Sequence, residues 1–220
     1  ARFGARIPKT PEYATALVAI GPAAVKLGQA LSTRPDLVGE KAAANLSQLQ
    51  DDLPPAPFDK IKRTIESSFG APLESLFSEF DEVPVGAASI AQVHRAVTTD
   101  GQTVAVKVLR PGIEEEFAKA LETYEWAAAH VEAYGGEAER LRPRLVVAHF
   151  RQWTARELDL QREAASASEL RENMVAEPGY YVPEIDWRRT ARRVLTLEWL
   201  DGIKLSDRDA LIAAGQDCNQ

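Results

Sequence analysis

At 220 residues, with 45% hydrophobic and 27% charged residues, the chain suits one or two soluble globular domains with a sizeable core. The net charge of −7 argues against nucleic acid as the main partner, and the lone Cys218 excludes a disulfide framework and fits a reducing compartment. No apolar run reaches the ~18 residues of a membrane span and no signal-peptide pattern opens the chain.

The sequence starts at Ala1, contains only Met174 and stops in a polar tail at Gln220, so it is expected to be part of something longer. Residues 1–10 carry Arg2, Arg6 and Lys9 without an acid and read as a frayed, solvated basic arm rather than a membrane anchor. From Pro11 to Gln50 the pattern is helical and alanine-rich, broken at Gly21-Pro22 and at Arg34-Pro35-Asp36. Pro22 is placed to start the second helix, on which Lys26 and Gln29 are three apart and share a face. Gly28 between them costs about 1 kcal/mol against alanine in a helix, which suggests that another backbone approaches there. Asp51 to Pro57 reads as a stiff linker. Phe58 to Phe69 reads as a short amphipathic helix with Phe58, Ile61, Ile65 and Phe69 on one side, closed by Gly70.

Leu76 to Val85 is read as a strand leading into a loop of minimal side chains, Gly86-Ala87-Ala88-Ser89. Two strands follow, Ile90 to Val97 and Thr103 to Leu109, turned by Thr99-Asp100-Gly101. In the second, Val104, Val106 and Val108 share one face and Ala105, Lys107 and Leu109 the other, so the strand is expected to be covered on both sides. A buried ammonium needs an acceptor, since stranding one member of a buried pair costs about 3–5 kcal/mol. Alone, Lys107 reads as an edge-strand lysine snorkelling to water. Beside a small-residue loop that admits a polyphosphate to backbone N–H groups, it reads as the cation of a nucleotide site.

Downstream, helices are predicted from Ile113 to about Tyr134, ending at Gly135-Gly136, and from about Pro143 to Met174. In the second, Asp159 and Glu163 share a face, while the 3.6-residue period sends Glu157 almost opposite Asp159, so one helix presents acids in two directions. Tyr180 to Asp186 and Arg193 to Trp199 are read as strands, separated by a basic turn, Arg188 to Arg192, that could touch phosphate or an acidic surface but reads first as exposed. Glu198 to Gly202 leaves the last strand, and Ser206 is placed to cap a final short helix. Of the three isolated histidines, His94 is the best placed for a site, although a lone histidine is more often structural.

Four stretches together resemble one family. Lys26-Leu27-Gly28-Gln29 with Ala30 to Leu37 is similar to a KxGQ signature, and Ala87 to His94 is similar to an alanine-rich loop that replaces the usual glycine-rich one. Val104 to Lys107, with Arg110-Pro111-Gly112, resembles a lysine strand and its exit. Glu157-Leu158-Asp159 with Arg162-Glu163-Ala164 resembles an ExD motif and an αC glutamate. These are the motifs of the UbiB-like atypical kinases, also called the ADCK or aarF-domain family, and the resemblance covers about residues 20–205. It implies an α+β fold: a protein-kinase-like N-lobe with a five-stranded antiparallel sheet and helix αC, plus N-terminal helices. The expected divisions are a helical KxGQ extension (1–53), a linker with a short helix (54–75), the N-lobe (76–205) and the start of a C-lobe (206–220).

The resemblance also implies roles. Lys107 is expected to hold the phosphates of ATP and pair with Glu163, beneath Gly86, Ala87, Ala88 and Ser89. Glu198, Trp199 and Leu200 are expected to form the hinge that faces adenine. Lys26 and Gln29 are expected to fold over the pocket, with Lys26 reaching Glu157; Asp159 completes the ExD motif with no contact assigned. Gly86 stands where the family usually has alanine, and little change is expected from that. The HxDxxxxN and DFG motifs that supply base and metal ligands do not occur in these residues. The C-lobe is therefore expected to be missing, no metal ligand is assigned here, and the chain alone is expected to be inert. The implied cofactor is Mg²⁺-ATP. The implied partners are quinone-biosynthesis proteins or lipid-like precursors at a membrane surface, in a cytoplasmic protein peripheral to the inner membrane. The alternative is a pseudokinase-like module that binds a partner or lipid, with nucleotide as a structural ligand. A direct quinone hydroxylase is disfavoured, there being no flavin fingerprint or metal motif.

Overall fold

The computed structural model describes residues 13–49, 54–135, 140–203 and 208–215; the basic arm, Asp51 to Leu53, Gly136, Ser206 and Cys218 lie outside them. Four helices come first: α1 (Tyr13–Ile20), α2 (Pro22–Ser32), α3 (Pro35–Val38) and α4 (Glu40–Leu46). Pro22 occupies the first turn of α2, where its missing N–H costs nothing. Val25, Leu46 and Leu49 close a small core of their own between these helices.

The centre of the fold is an antiparallel sheet of β1 (Phe77–Phe80), β2 (Gly86–Ala87), β3 (Ala91–Thr98), β4 (Thr103–Leu109) and β5 (Val194–Glu198). Strands β3 and β4 pair without a break from Ala91 opposite Leu109 to Val97 opposite Thr103. Gly101 (φ +86°) supplies the left-handed residue that their turn requires. Helix α5 (Phe58–Phe69) packs Ile61 and Ile65 onto Val104, Val106 and Val108, which covers the valine face of β4. Gly70 ends α5 in the left-handed conformation. A one-turn helix, α6 (Leu73–Leu76), leads into β1.

The other face carries α7 (Ile113–Ala133), α8 (Pro143–Glu157) and α9 (Leu160–Met174). Leu109, Ile113, Phe117, Phe150, Leu160 and Leu195 form the core there, and Ala23 of α2 joins it. Glu114, Glu115 and Glu116 stand in the first turn of α7, where carboxylates complement the helix dipole. A last short helix, α10 (Arg208–Ala213), follows.

Three expectations need correction. The helix expected over Pro143 to Met174 is two helices, because Leu158 ends α8 and Asp159 takes an extended conformation as the N-cap of α9, accepting a hydrogen bond from Gln161 N at 3.2 Å. The strand expected over Leu76 to Val85 shrinks to Phe77–Phe80, and it is the two-residue β2 that completes the five strands. Tyr180 to Asp186 forms no regular strand; a bridge from Ile185 to Leu197 and bonds from Glu198 N to Glu184 O and Asp186 N to Thr196 O lay it along β5.

His94 is fully buried on the α5 side of the sheet, against Phe58 and Phe80, away from the face that carries Lys107. Its Nε2 accepts from Gln92 Nε2 at 2.8 Å and its Nδ1–H donates to Asp81 O at 2.7 Å, an arrangement that suits the neutral ring. Burial draws its pKa below the usual 6.5, with the Asp81 carbonyl acting in the opposite sense. The contribution to stability is therefore full above that ordinary value and is lost as pH falls through the lowered folded value. Denaturant midpoints measured between about pH 5 and 7 should fall with pH, and a His94→Asn variant, weaker overall, should lose most of that slope.

Candidate functional site

Two lysine–carboxylate pairs flank the break between α8 and α9. Lys107, at the centre of β4, places Nζ 2.8 Å from both carboxylate oxygens of Glu163 in the first turn of α9. The Asp159 cap fixes where α9 starts, the Leu160 N–H donates to Arg192 O at 2.9 Å, and buried Leu160 and Ala164 seat the helix on the sheet. Glu163 thus reaches Lys107 because the helix begins where it does. Asp159 also lies 3.6 Å from Arg162, so the acid given no contact by the sequence serves as a cap.

The Lys107 face of β4 is not covered as the sequence suggested. Val104, Val106 and Val108 are buried, but Ala105 and Lys107 are only half-buried, because the helices on that side leave this part of the sheet open. The Lys107 and Glu163 side chains are 28% and 47% exposed. A pair this wet adds at most about 1 kcal/mol to stability, so fold maintenance alone does not explain it.

Across the sheet, Gly86, Val93, Lys107 and Leu195 stand in one register line through β2, β3, β4 and β5. The small-residue loop therefore begins two strand spacings, about 10 Å, from the lysine. Gly86 is exposed, and a Cβ built on it would meet nothing within 4 Å, so alanine fits there without strain. Ser89 is buried, and the Ala88 N–H donates to Ala91 O at 2.8 Å.

The second pair joins the N-terminal helices to this region. Lys26 Nζ lies 3.4 Å from Glu157 Oε2 at the end of α8, and 5.6 Å from the centre of the Trp153 ring. It is the more enclosed of the two lysines, with 13% of its side chain exposed. Gln29 is half-buried one turn further along α2. Gly28 is buried for a reason other than the one expected: a Cβ there would lie 2.5 Å from the Cδ1 atoms of both Leu17 and Leu49, so it admits leucine side chains rather than another backbone.

Glu198 stands elsewhere. Paired with Val104, it projects from the face opposite Lys107, and its carboxylate accepts from Tyr181 Oη at 2.6 and 2.8 Å and from Glu184 N. A cavity of about 600 Å³ opens on that side, lined by Thr103, Val104, Glu184, Asp186, Trp187 and Glu198, and it does not include Lys107. Among the described residues, no group of three or more His, Cys, Asp or Glu side chains converges to hold a metal ion, and no helix is long and apolar enough to cross a membrane.

Two arginines make contacts that the sequence does not display. Arg189, expected in an exposed turn, is buried. It donates to Leu76 O, Asp186, Thr99 and Asp100. Arg110 spans the Ala88 and Pro54 carbonyls. Neither has a periodicity to betray it, since each also binds residues more than 20 positions away in sequence.

The sequence matches the ABC1 atypical kinase-like domain family over residues 48–220. It is 48% identical over 200 residues to the probable protein kinase UbiB of Marinobacter nauticus, and 42% and 45% identical to those of Cellvibrio japonicus and Xylella fastidiosa over 198 and 202 residues. These alignments cover 90–92% of this chain but only 36–37% of each relative, so the chain spans just over a third of their length. A solved structure, the Rv3197–erythromycin complex from Mycobacterium tuberculosis, superposes with a TM-score of 0.55 at 28% identity, covering 85% of this chain and 46% of that one. With its five-stranded antiparallel sheet, its flanking helices and a family match over most of its length, this chain belongs to the ABC1 atypical kinase-like family and is UbiB-like.

Proposed function

We propose that the chain forms the ATP-binding N-terminal part of a UbiB-type kinase or ATPase that supports isoprenoid quinone biosynthesis at a membrane surface. The observation that carries this is the Lys107–Glu163 pair, half-open to solvent and in register with the Gly86–Ser89 loop. Glu163 orients the ammonium, Lys107 holds the nucleotide phosphates, and the loop's small side chains admit them to backbone N–H groups. The distance between loop and lysine suits a polyphosphate. Bound ATP would supply the reactive phosphoanhydride, and magnesium would neutralise its charge with ligands from outside the described residues. The N–H groups of Glu198 and Trp199 already donate to Glu184 O and Thr103 O, so within the hinge Leu200 is the residue left to donate to adenine. Lys26 and Gln29 of α2, tied to α8 through Glu157, would regulate access to the same site.

ATP hydrolysis by the full-length protein tests this, measured with and without a quinone-like phenol and vesicles containing anionic lipid. Turnover that rises with either addition supports the reading. Failure of ATP to bind under all conditions would refute it, and binding without hydrolysis would favour a pseudokinase-like module.

A further inference from the structure

Strand β2, which opens the loop beside Lys107, has two residues and pairs with β3; a Cβ on Gly86 would meet nothing within 4 Å, while Ser89 is buried and Ala88 N donates to Ala91 O. Arg110 adds ties from outside the loop. Its backbone N–H donates to Ile90 O at 2.8 Å, its Nε to Ala88 O at 2.8 Å and its Nη1 to Pro54 O at 2.9 Å. It follows Lys107 by three residues, so one stretch of chain carries both the lysine and the tie that holds the loop. The segment from Pro54 is fastened a second time where Ala56 N donates to Oε1 of Gln92, a buried side chain whose residue pairs with Ala87. Residues 54–57 lead into α5 and are thus tied beside the loop at two points, as a strap.

We propose that Arg110 is the positioning residue of the nucleotide loop, joining the Ala88 carbonyl to the Pro54 strap and so setting the loop's placement relative to Lys107. The inference rests on the nucleotide reading of that loop. A guanidinium carries donors in several directions and serves two carbonyls at once, whereas a lysine ammonium on a flexible stem does not reproduce that planar fork. Arg110 touches no reacting group in this account. It acts through the loop and through the strap at Pro54.

The test uses the full-length protein and its Arg110→Lys and Arg110→Met variants. Amide hydrogen exchange without nucleotide should quicken about tenfold over residues 86–91 in Arg110→Met and less in Arg110→Lys, with residues 94–106 of the β3–β4 hairpin unchanged. The KM for ATP should rise about tenfold in Arg110→Met, and about threefold in Arg110→Lys, with kcat changed by less than about twofold. Unaltered exchange at 86–91, an acceleration spread equally through 94–106, or a loosened loop with unchanged KM would each overturn the proposal. If the unmodified protein neither binds nor hydrolyses Mg²⁺-ATP, the nucleotide reading fails, and the exchange comparison alone decides whether Arg110 holds the loop.

Discussion

Replacing Lys107 with methionine in the full-length protein should lower ATP turnover by about 10²–10³-fold, the usual cost of removing a preorganised charge aimed at the reacting group. The same change should barely move the unfolding midpoint. Lys107 and Glu163 are 28% and 47% exposed, and a pair that wet contributes at most about 1 kcal/mol to the fold. This contrast between activity and stability is what separates a phosphate-binding lysine from a structural one. Glu163→Gln should weaken turnover less, because the amide keeps an oxygen that Lys107 can use while losing the charge that orients it. Assays of turnover beside thermal melts of both variants check the prediction. A Lys107 variant with unchanged turnover would contradict it, and so would one inactive only because it fails to fold.

The largest expected effect on stability lies at Arg189. Its guanidinium is 8% exposed, sits 2.6 Å from Asp186, itself 13% exposed, and also reaches the Leu76 carbonyl and the Thr99–Asp100 turn. It therefore joins the start of β1, the β3–β4 turn and the segment that runs beside β5. Truncation to leucine leaves the Asp186 carboxylate without its main partner in a dry setting, a change that typically costs about 3–5 kcal/mol. For a chain of this size that is a drop of about 6–20 °C in Tm. Arg192→Ala, only three residues on but 64% exposed against Glu114, should stay within about 0.5 kcal/mol of the parent. The same hub is acid-sensitive. Asp100 is pulled down to about 2, first by the Thr98 hydroxyl and also by Arg188 and Arg189, so its contribution is present above the ordinary carboxylate value and lost as pH falls through about 2. Equal melts for the two arginine variants would mean that the Arg189 contacts carry no net stability.

Much of the architecture was legible from periodicity and turn chemistry. The alternation from Val104 to Leu109, the Thr-Asp-Gly turn and the stripe of Ile61 and Ile65 are local signals, and the hairpin and α5 follow them. What the sequence obscured depended on a competition it does not display. The pattern from Pro143 to Met174 is helical throughout, yet the Asp159 side chain caps a new helix, and that break lets Glu157 and Glu163 serve two lysines. The lysine strand looked covered on both faces because its residues are apolar on both. One face is left half-open at Ala105 and Lys107, and apolar composition does not distinguish a partly open face from a core. Likewise, the run from Arg188 to Arg192 looked exposed because it is charged. Its burial at Arg189 is set by Leu76 and Asp100, partners about 90 to 110 residues earlier in the chain. Motif resemblance pointed to the candidate site residues, but the Arg110 bonds to Ala88 and Pro54 emerged only from contacts between distant parts of the chain.

Nucleotide phosphates are expected to meet Lys107. An acyl-phosphate derivative of ATP, which transfers its acyl group to a lysine amine beside the phosphates, tests it most directly in the full-length protein. Peptide mapping should find acylation at Lys107 that excess ATP suppresses, with Lys26, enclosed by Glu157 and Trp153, unlabelled. Labelling of Lys26 in place of Lys107, or labelling of Lys107 indifferent to competing ATP, would mean that the phosphates do not meet Lys107.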